Sequence, residues 1–180
     1  RIINFNKLME FNNKPPKEYV EQLESLFVVE LSSLHRYACY RLGSQEVAED
    51  VIQELYLKLR TNYREGIHNM RYYIYRSLMN ACAQRLRDRR KLSFVDLTSL
   101  KDLREDDLQA KDFEQEYQLI GRLLETIPQE QSEVIRLHLH AGCQFQEVAD
   151  IMDIPLSTAK SRYRYGIEHI RDAMRKEGLL

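Results

Sequence analysis

The stretch that decides the fold lies near the C-terminus, where residues 145–165 read FQEVADIMDIPLSTAKSRYRY. Apolar residues recur there at three- and four-residue steps on both sides of residues 153–155. This spacing predicts two short helices, at about 145–152 and 158–175, joined by a tight turn that contains a proline. Because the two apolar stripes can face each other, the stretch has the pattern of a helix-turn-helix unit.

The outer face of the second helix is polar and basic. It carries Ser157, Thr158, Ser161, Arg164 and Tyr165, and Lys160 and Arg162 flank it. Such side chains read base edges in the major groove or hold phosphates, and the second helix of this motif enters the groove N-terminus first. We expect the Ser157 hydroxyl to cap this helix. The pattern favours binding of duplex DNA; the alternative is an ordinary helical hairpin with a solvated face.

Helical periodicity also dominates the chain upstream, and no alternating strand pattern occurs. The stripe Val20, Leu23, Phe27, Leu31, Leu34 and Ala38 predicts a long first helix that ends at Gly43, and Ser44 can cap a second with Val47, Val51, Leu55 and Leu59 inside. A third helix is expected at about 71–90. Further helices are expected from Asp112, with Gln115 completing a capping box, and from Pro128 to Gly142.

The predicted fold is therefore all-α, with two small helical domains joined by an acidic linker. We expect a flexible tail at 1–16, a first domain at 17–92, the linker at 93–111 and a second domain, with the helix-turn-helix, at 112–180. Since the first residue is Arg1, we expect the natural chain to begin further upstream.

Composition excludes several classes of protein. The 180 residues are 43% hydrophobic and 31% charged, and no apolar run approaches the roughly 18–20 residues of a membrane span. We therefore expect no stable membrane insertion. Cys39, Cys82 and Cys143 are odd in number and widely spaced, so we expect no disulfide framework and a reducing, cytoplasmic location.

The net charge of −1 conceals three charged blocks. Residues 71–91 carry seven basic residues and one acid, residues 96–116 carry eight acids and three bases, and residues 157–176 carry six bases and two acids. A single charged block is explained by a solvated face, but two basic segments around an acidic one favour that explanation less, because each segment needs its own.

The first basic block interleaves its cations with Tyr72, Tyr73 and Tyr75, a pattern that suits single-stranded nucleic acid, although any single tyrosine can instead belong to the core. On the second helix, the spacing places Asp50, Gln53, Glu54 and Leu57 on one stripe. This stripe is either simply solvated or a docking face for a partner helix.

In these motifs the chain resembles a small sigma factor of the extracytoplasmic-function group, a promoter-recognition subunit of bacterial RNA polymerase. The resemblance rests on AEDVIQELYLKL at 48–59, on YIYR at 73–76 followed by Asn80 and Arg87, on IPQEQ at 127–131 and on IPLSTAKSR at 154–162. The family usually has Trp where Tyr73 stands, an acid where Gln84 stands, Gly at Ser157, and Ser or Thr at Gln144.

The resemblance implies partners and a role for each motif. It implies that Asp50, Gln53, Glu54 and Leu57 bind core RNA polymerase, that Tyr73, Arg76, Asn80, Gln84 and Arg87 bind the melted −10 strand, and that Ser157, Thr158, Lys160, Ser161, Arg162 and Arg164 bind the −35 duplex. The loop at 63–70 would hold a flipped base. An anti-sigma factor is a further implied partner. We expect a monomer when free, with no cofactor.

Two other classes of function remain as alternatives. A free-standing helix-turn-helix regulator with an N-terminal sensing or dimerisation domain accounts for the C-terminal half only. An enzyme has little support, because His138, His140 and Cys143 form the one cluster that resembles metal ligands, and two histidines at i and i+2 diverge on a helix. No nucleophile motif or phosphate-binding loop occurs, so we expect no enzymatic activity.

Overall fold

A computed structural model describes residues 15–95, 108–176 and 178. The helices in chain order are α1 (Lys17–Leu42), α2 (Gln45–Thr61), α3 (Met70–Val95), α4 (Leu108–Glu125), α5 (Gln129–Ile135) with a π-helical continuation (Arg136–His140), α6 (Phe145–Met152) and α7 (Leu156–Lys176). No strand occurs among the described residues, and the all-α prediction is confirmed. Most of the predicted tail and linker lies outside the described residues.

Local sequence explains the ends of α1 and α2. α1 ends at Gly43, which has a left-handed φ of 71° and donates its N–H to the Cys39 carbonyl. The Ser44 hydroxyl then accepts from the Val47 N–H at 3.4 Å, which confirms Ser44 as the cap of α2. A left-handed Gly142, with a φ of 74°, follows the π-helical continuation of α5, as the sequence predicts.

Two predicted helix starts were wrong. α4 begins at Leu108 and not at Asp112, so Asp112 lies inside the helix. α7 begins at Leu156, because the Ala159 N–H bonds to the Pro155 carbonyl at 3.0 Å. Ser157 therefore lies in the first turn of α7, and its predicted capping role is incorrect. Pro155 lies immediately before α7 and favours this earlier start. Because proline has no N–H, it leaves no unpaired backbone donor where the helix begins.

Helices α1, α2 and α3 form an N-terminal unit, in which each helix packs on the other two. Its fully buried side chains include Leu23, Leu34, Tyr37, Tyr75 and Leu78. The predicted first-helix stripe is correct except at its centre. Leu31 is 50% exposed, whereas Leu34 is completely buried. In its C-terminal half, the buried stripe of α1 includes Leu34 and Ala38 as predicted, together with Tyr37.

Helices α4 to α7 form a C-terminal unit around the packing of α7 on α5. A small cluster of Leu124, Ile127 and Ile135 receives Tyr163, Ile167 and Ile170 from α7, which belong to the apolar stripe that follows residues 153–155. α6 also packs on α7, and its N-terminus has a capping box between Gln144 and Glu147.

The two units pack against each other. α1 contacts α4 and the π-helical segment, and α3 contacts α6. The main buried cluster is continuous across this contact, since it includes Leu34 and Ala38 of α1 together with Val134, Leu137 and Val148 of the C-terminal unit. We call this contact the inter-unit interface.

The difference in burial between Leu31 and Leu34 can be tested by truncating each side chain to alanine. We expect Leu34→Ala to lower the free energy of unfolding by about 2–5 kcal/mol, because it leaves a cavity in the continuous core. Leu31→Ala is the matched control, three residues away on the same helix, and we expect a loss below about 1 kcal/mol. Urea unfolding followed by circular dichroism measures both; equal losses would contradict the burial pattern.

Candidate nucleic-acid and polymerase interfaces

The predicted −10 residues lie together in one open groove between α2 and α3. Tyr73, Arg76, Asn80, Gln84 and Arg87 all line it, and Arg76, Asn80, Gln84 and Arg87 are exposed. They occur at steps of three or four residues along α3, so the helix presents them on one side. We call this feature the α2–α3 groove.

The facing wall of the α2–α3 groove carries Tyr63 and Arg64 of the predicted flipped-base loop, together with residues that the motifs did not assign to nucleic acid. Lys58 and Arg60 come from the last turn of α2, and Asn62, Tyr63 and Arg64 come from the segment that follows. The signal in the sequence is three cations around a tyrosine within residues 58–64. With cations and a tyrosine on each wall, the groove suits a single-stranded polyanion with exposed bases.

Neighbouring side chains on α3 hold the Gln84 amide. The Gln84 Nε2 donates to Asp88 Oδ1 at 2.8 Å, and Arg87 donates from Nη2 to Gln84 Oε1 at 2.7 Å. These bonds fix which face of the amide and which side of the guanidinium remain available to a ligand. Gln84 and Arg87 therefore act as one positioned pair.

The predicted polymerase-docking stripe lies on the exposed side of α2. Asp50, Gln53, Glu54 and Leu57 are all exposed, and the Leu57 side chain is 58% accessible. Glu54 is paired with Arg85 of α3, at 2.8 Å between Nη2 and Oε1. An exposed leucine beside carboxylates is typical of a surface that buries area against a partner.

A shallow apolar groove adjoins this stripe. Val28 and Leu31 of α1 line it with Ile52 and Gln53 of α2. Val28 is 79% exposed, so α1 presents apolar area that no described residue covers. Gln53 belongs both to this groove and to the stripe, and the two therefore form one continuous surface.

The predicted −35 residues lie on the N-terminal half of α7. Ser157, Lys160 and Arg164 are exposed, whereas Thr158, Ser161 and Arg162 are half-buried. The Ser161 hydroxyl donates to the Thr158 carbonyl at 3.1 Å, and the Arg164 guanidinium lies 4.9 Å from the centre of the Tyr165 ring. The exposed polar face at the start of this helix can enter a major groove.

Aromatic packing fixes the orientation of α7. Tyr163 meets the edges of Phe145 and His138, at 5.2 Å and 5.1 Å between ring centres, and Ala159 is completely buried. Gly166 allows α5 to approach closely, because a Cβ at that position would lie 2.7 Å from Ile135 Cδ1. This packing turns Ser157, Lys160 and Arg164 towards solvent.

The two histidines of the candidate metal cluster serve in packing. His138 stacks on Phe145, and its Nδ1 lies 2.8 Å from the Cys143 carbonyl. His140 stacks on Tyr40, and burial, together with Arg136 and Arg36, lowers its pKa to about 4. No group of three His, Cys, Asp or Glu residues within the described ranges could hold a metal ion. None of the described helices is long and apolar enough to cross a membrane.

Family models match both units. Sigma-70 region 2 matches residues 26–92, and sigma-70 region 4 matches residues 123–172, so that the two together match about two thirds of the chain. The chain therefore belongs to the sigma-70 family. It is a sigma factor with regions 2 and 4, as the resemblance to the extracytoplasmic-function group predicts, and it acts with core RNA polymerase in promoter recognition.

A solved structure has a fold similar to that of this chain. The chain is similar to the sigma factor RpoE from Bartonella quintana, whose structure was solved in complex with the anti-sigma factor NepR. The two are 19% identical, with a TM-score of 0.57 over 86% of this chain and 98% of that one. No curated protein sequence matches this chain significantly.

The close approach at Gly166 supports a prediction about the helix that carries the −35 residues. Gly166→Val should lower the free energy of unfolding by about 1–3 kcal/mol, because the added carbons force Ile135 or α5 to move. Glu168→Val is the control, at an exposed position of the same helix where propensity alone costs less than about 0.7 kcal/mol. Thermal unfolding tests this, and equal destabilisation by both variants would contradict the assigned packing.

Proposed function

We propose a division of labour among three surfaces of this sigma factor. The stripe on α2 docks on core RNA polymerase, the α2–α3 groove captures the melted −10 strand, and the N-terminal half of α7 reads the −35 duplex. The observation that carries this proposal is that all five −10 candidates line one basic groove, whose α2 wall also includes Glu54 and Leu57 of the docking stripe, while the −35 candidates lie on α7.

For polymerase docking we propose Asp50, Gln53, Glu54 and Leu57. Their common exposure and the adjoining apolar surface at Val28 and Leu31 support this role. Buried apolar contacts give an interface its affinity, and carboxylates beside them select a partner with basic side chains. An amphipathic helix with a basic flank has the matching chemistry.

For the −10 strand we propose Tyr73, Arg76, Asn80, Gln84 and Arg87, joined by Lys58, Arg60 and Arg64 of the facing wall. Exposed bases can stack on Tyr73 and Tyr63, while the cations follow the phosphates. The loop at 63–70 is the proposed pocket for a flipped base. Asn80 and the Gln84–Arg87 pair offer donors and acceptors for base edges.

For the −35 duplex we propose Ser157, Thr158, Lys160, Ser161, Arg162 and Arg164. Exposed Arg164 and Lys160 have the reach for base edges and phosphates, and the helix N-terminus adds a partial positive charge. Each surface makes few phosphate contacts and binds weakly by itself. Polymerase raises their effective concentration by holding both units at promoter spacing.

We propose that the protein has no catalytic activity of its own, works in the cytoplasm and is monomeric when free. We further propose that an anti-sigma factor regulates it, since the structurally similar RpoE was solved with one. The apolar surface around Val28 and Leu31 adjoins the docking stripe, so an inhibitor bound there would compete with polymerase.

In vitro transcription on genomic fragments tests the division of labour, with core polymerase alone as the baseline. We expect discrete transcripts only when the protein is added. Arg164→Ala should reduce promoter use about tenfold or more while binding to core survives, because one base or phosphate contact is worth about 1–3 kcal/mol. Glu54→Ala should instead weaken binding to core about fivefold or more.

Two exposed residues supply the controls for these variants. Arg171→Ala removes a cation from the same helix as Arg164, and Glu46→Ala removes an acid from the same helix as Glu54. Both should behave like wild type. If Arg164→Ala and Glu54→Ala weakened core binding equally, the division would be wrong. If the protein alone bound specific duplex DNA without supporting transcription, it would be a free-standing regulator.

A further inference from the structure

The start of α1 adjoins one end of the α2–α3 groove. Pro15, Lys17 and Val20 line the groove together with the segment that follows α2. Tyr19, between them in sequence, is only 7% exposed and belongs to the main buried cluster. It precedes the residues that match sigma-70 region 2, and none of the motifs assigns it a role. A buried phenol of α1 therefore lies beside the proposed −10 site.

The Tyr19 hydroxyl holds the end of α2. It donates to the Leu59 carbonyl at 2.7 Å, and Leu59 is itself buried. α2 ends at Thr61, and the carbonyls in the last turn of a helix lack partners within the helix. Burial raises the pKa of Tyr19 above its ordinary value, so the phenol remains a donor. The bond therefore satisfies a buried carbonyl at the point where the chain leaves the helix.

The Tyr19 ring also holds Tyr63, the fourth residue after Leu59. The two ring centres are 5.0 Å apart and the ring planes meet at 76°, an edge-to-face arrangement that aromatic pairs prefer. Tyr63 is half-buried and lines the groove, so part of its ring remains accessible. Tyr19 thus fixes two points of one short stretch, and the orientation of Tyr63 is set before a strand binds.

A second contact between α1 and this wall is weaker. Glu24 lies 3.4 Å from Arg60 Nε and accepts from the Tyr56 hydroxyl at 3.1 Å. The side chains of Arg60 and Glu24 are 51% and 44% exposed, and an ion pair with this exposure contributes little because water screens it. Tyr19 is buried, so it is the stronger support of the wall.

We propose that Tyr19 is a positioning residue for the −10 strand, which holds the Tyr63 ring in the orientation that stacks on an unpaired base. This role rests on the proposed stacking of a base on Tyr63. A ring that is already held loses little conformational freedom when a base stacks on it, whereas a loose ring must be ordered during binding. The first turn of α1 thereby contributes to strand recognition without touching the strand.

A double-mutant cycle of Tyr19→Phe and Tyr63→Ala tests this role in the full chain assembled with core polymerase. Tyr19→Phe removes the hydroxyl and keeps the ring. The probe is a fluorescent single strand with the −10 sequence of a promoter mapped by in vitro transcription. Circular dichroism checks the helix content of each variant, and Tyr63→Leu replaces Tyr63→Ala if the alanine variant does not fold.

The cycle has a defined expected result. Tyr63→Ala should weaken binding of the probe about tenfold or more, because it removes a stacking partner for a base. Tyr19→Phe should weaken it about threefold to fivefold, as the loss of one hydrogen bond allows. When Tyr63 is already alanine, Tyr19→Phe should change binding less than about twofold, since its effect acts through the missing ring. Binding to core polymerase should be unchanged throughout.

Tyr37→Phe is the matched control for a purely structural effect. Tyr37 lies on the same helix, is completely buried and donates its hydroxyl to Glu133 at 2.6 Å, away from the groove. Its loss should lower the stability of the protein at least as much as Tyr19→Phe does, because the bond is to a charged group. Binding of the probe should nevertheless match that of wild type.

The outcomes separate this role from the proposed function. If Tyr63→Ala left binding of the probe unchanged, the stacking role of Tyr63 would be wrong and the role of Tyr19 would fail with it. If Tyr63→Ala weakened binding but Tyr19→Phe did not, only the positioning role would be wrong. Additive losses in the cycle, or an equal loss in Tyr37→Phe, would also overturn the positioning role.

Discussion

The buried carboxylate of Glu133 is the constraint on which the arrangement of the two units depends. A buried charge is costly unless it is paired and hydrogen-bonded, and leaving one unpaired costs about 3–5 kcal/mol. Arg136 satisfies Glu133 from within its own unit, whereas Tyr37 and Arg41 reach it from α1. The first unit therefore completes the polar interior of the second, and the surrounding apolar core is continuous between them.

This arrangement separates folding from function on each helix. On α3, Ile74, Tyr75 and Leu78 face the core while Arg76, Asn80 and Arg87 line the groove. On α7, Ala159 and Gly166 are buried while Lys160 and Arg164 are exposed. Because one helix carries both sets, packing of its inner side fixes the orientation of its outer side. Functional side chains are thus held on rigid elements, which limits the entropy lost on binding.

Sequence periodicity predicted most elements, since apolar stripes and caps are local signals. α6 occurs at its predicted position, and Gly43 with Ser44 separates α1 from α2 as expected. The errors occurred where a local signal had a competitor. Leu31 fits the apolar stripe by spacing, yet it lines the shallow surface groove beside α2 and is 50% exposed. Ser157 is a good cap, but Pro155 allowed α7 to start earlier.

The sequence by itself determined the helical elements, the charged blocks and the family, because periodicity, capping and motif order are all encoded in short stretches of the chain. Only the tertiary structure decided which distant residues meet. Tyr37 and Glu133 are 96 positions apart, and Arg76 lies 75 positions from Ile151. Neither pair has a local signature, because a bond between two helices depends on how they pack and not on the residues beside each partner in sequence. The walls of the α2–α3 groove likewise come from two helices, and their proximity is a result of folding.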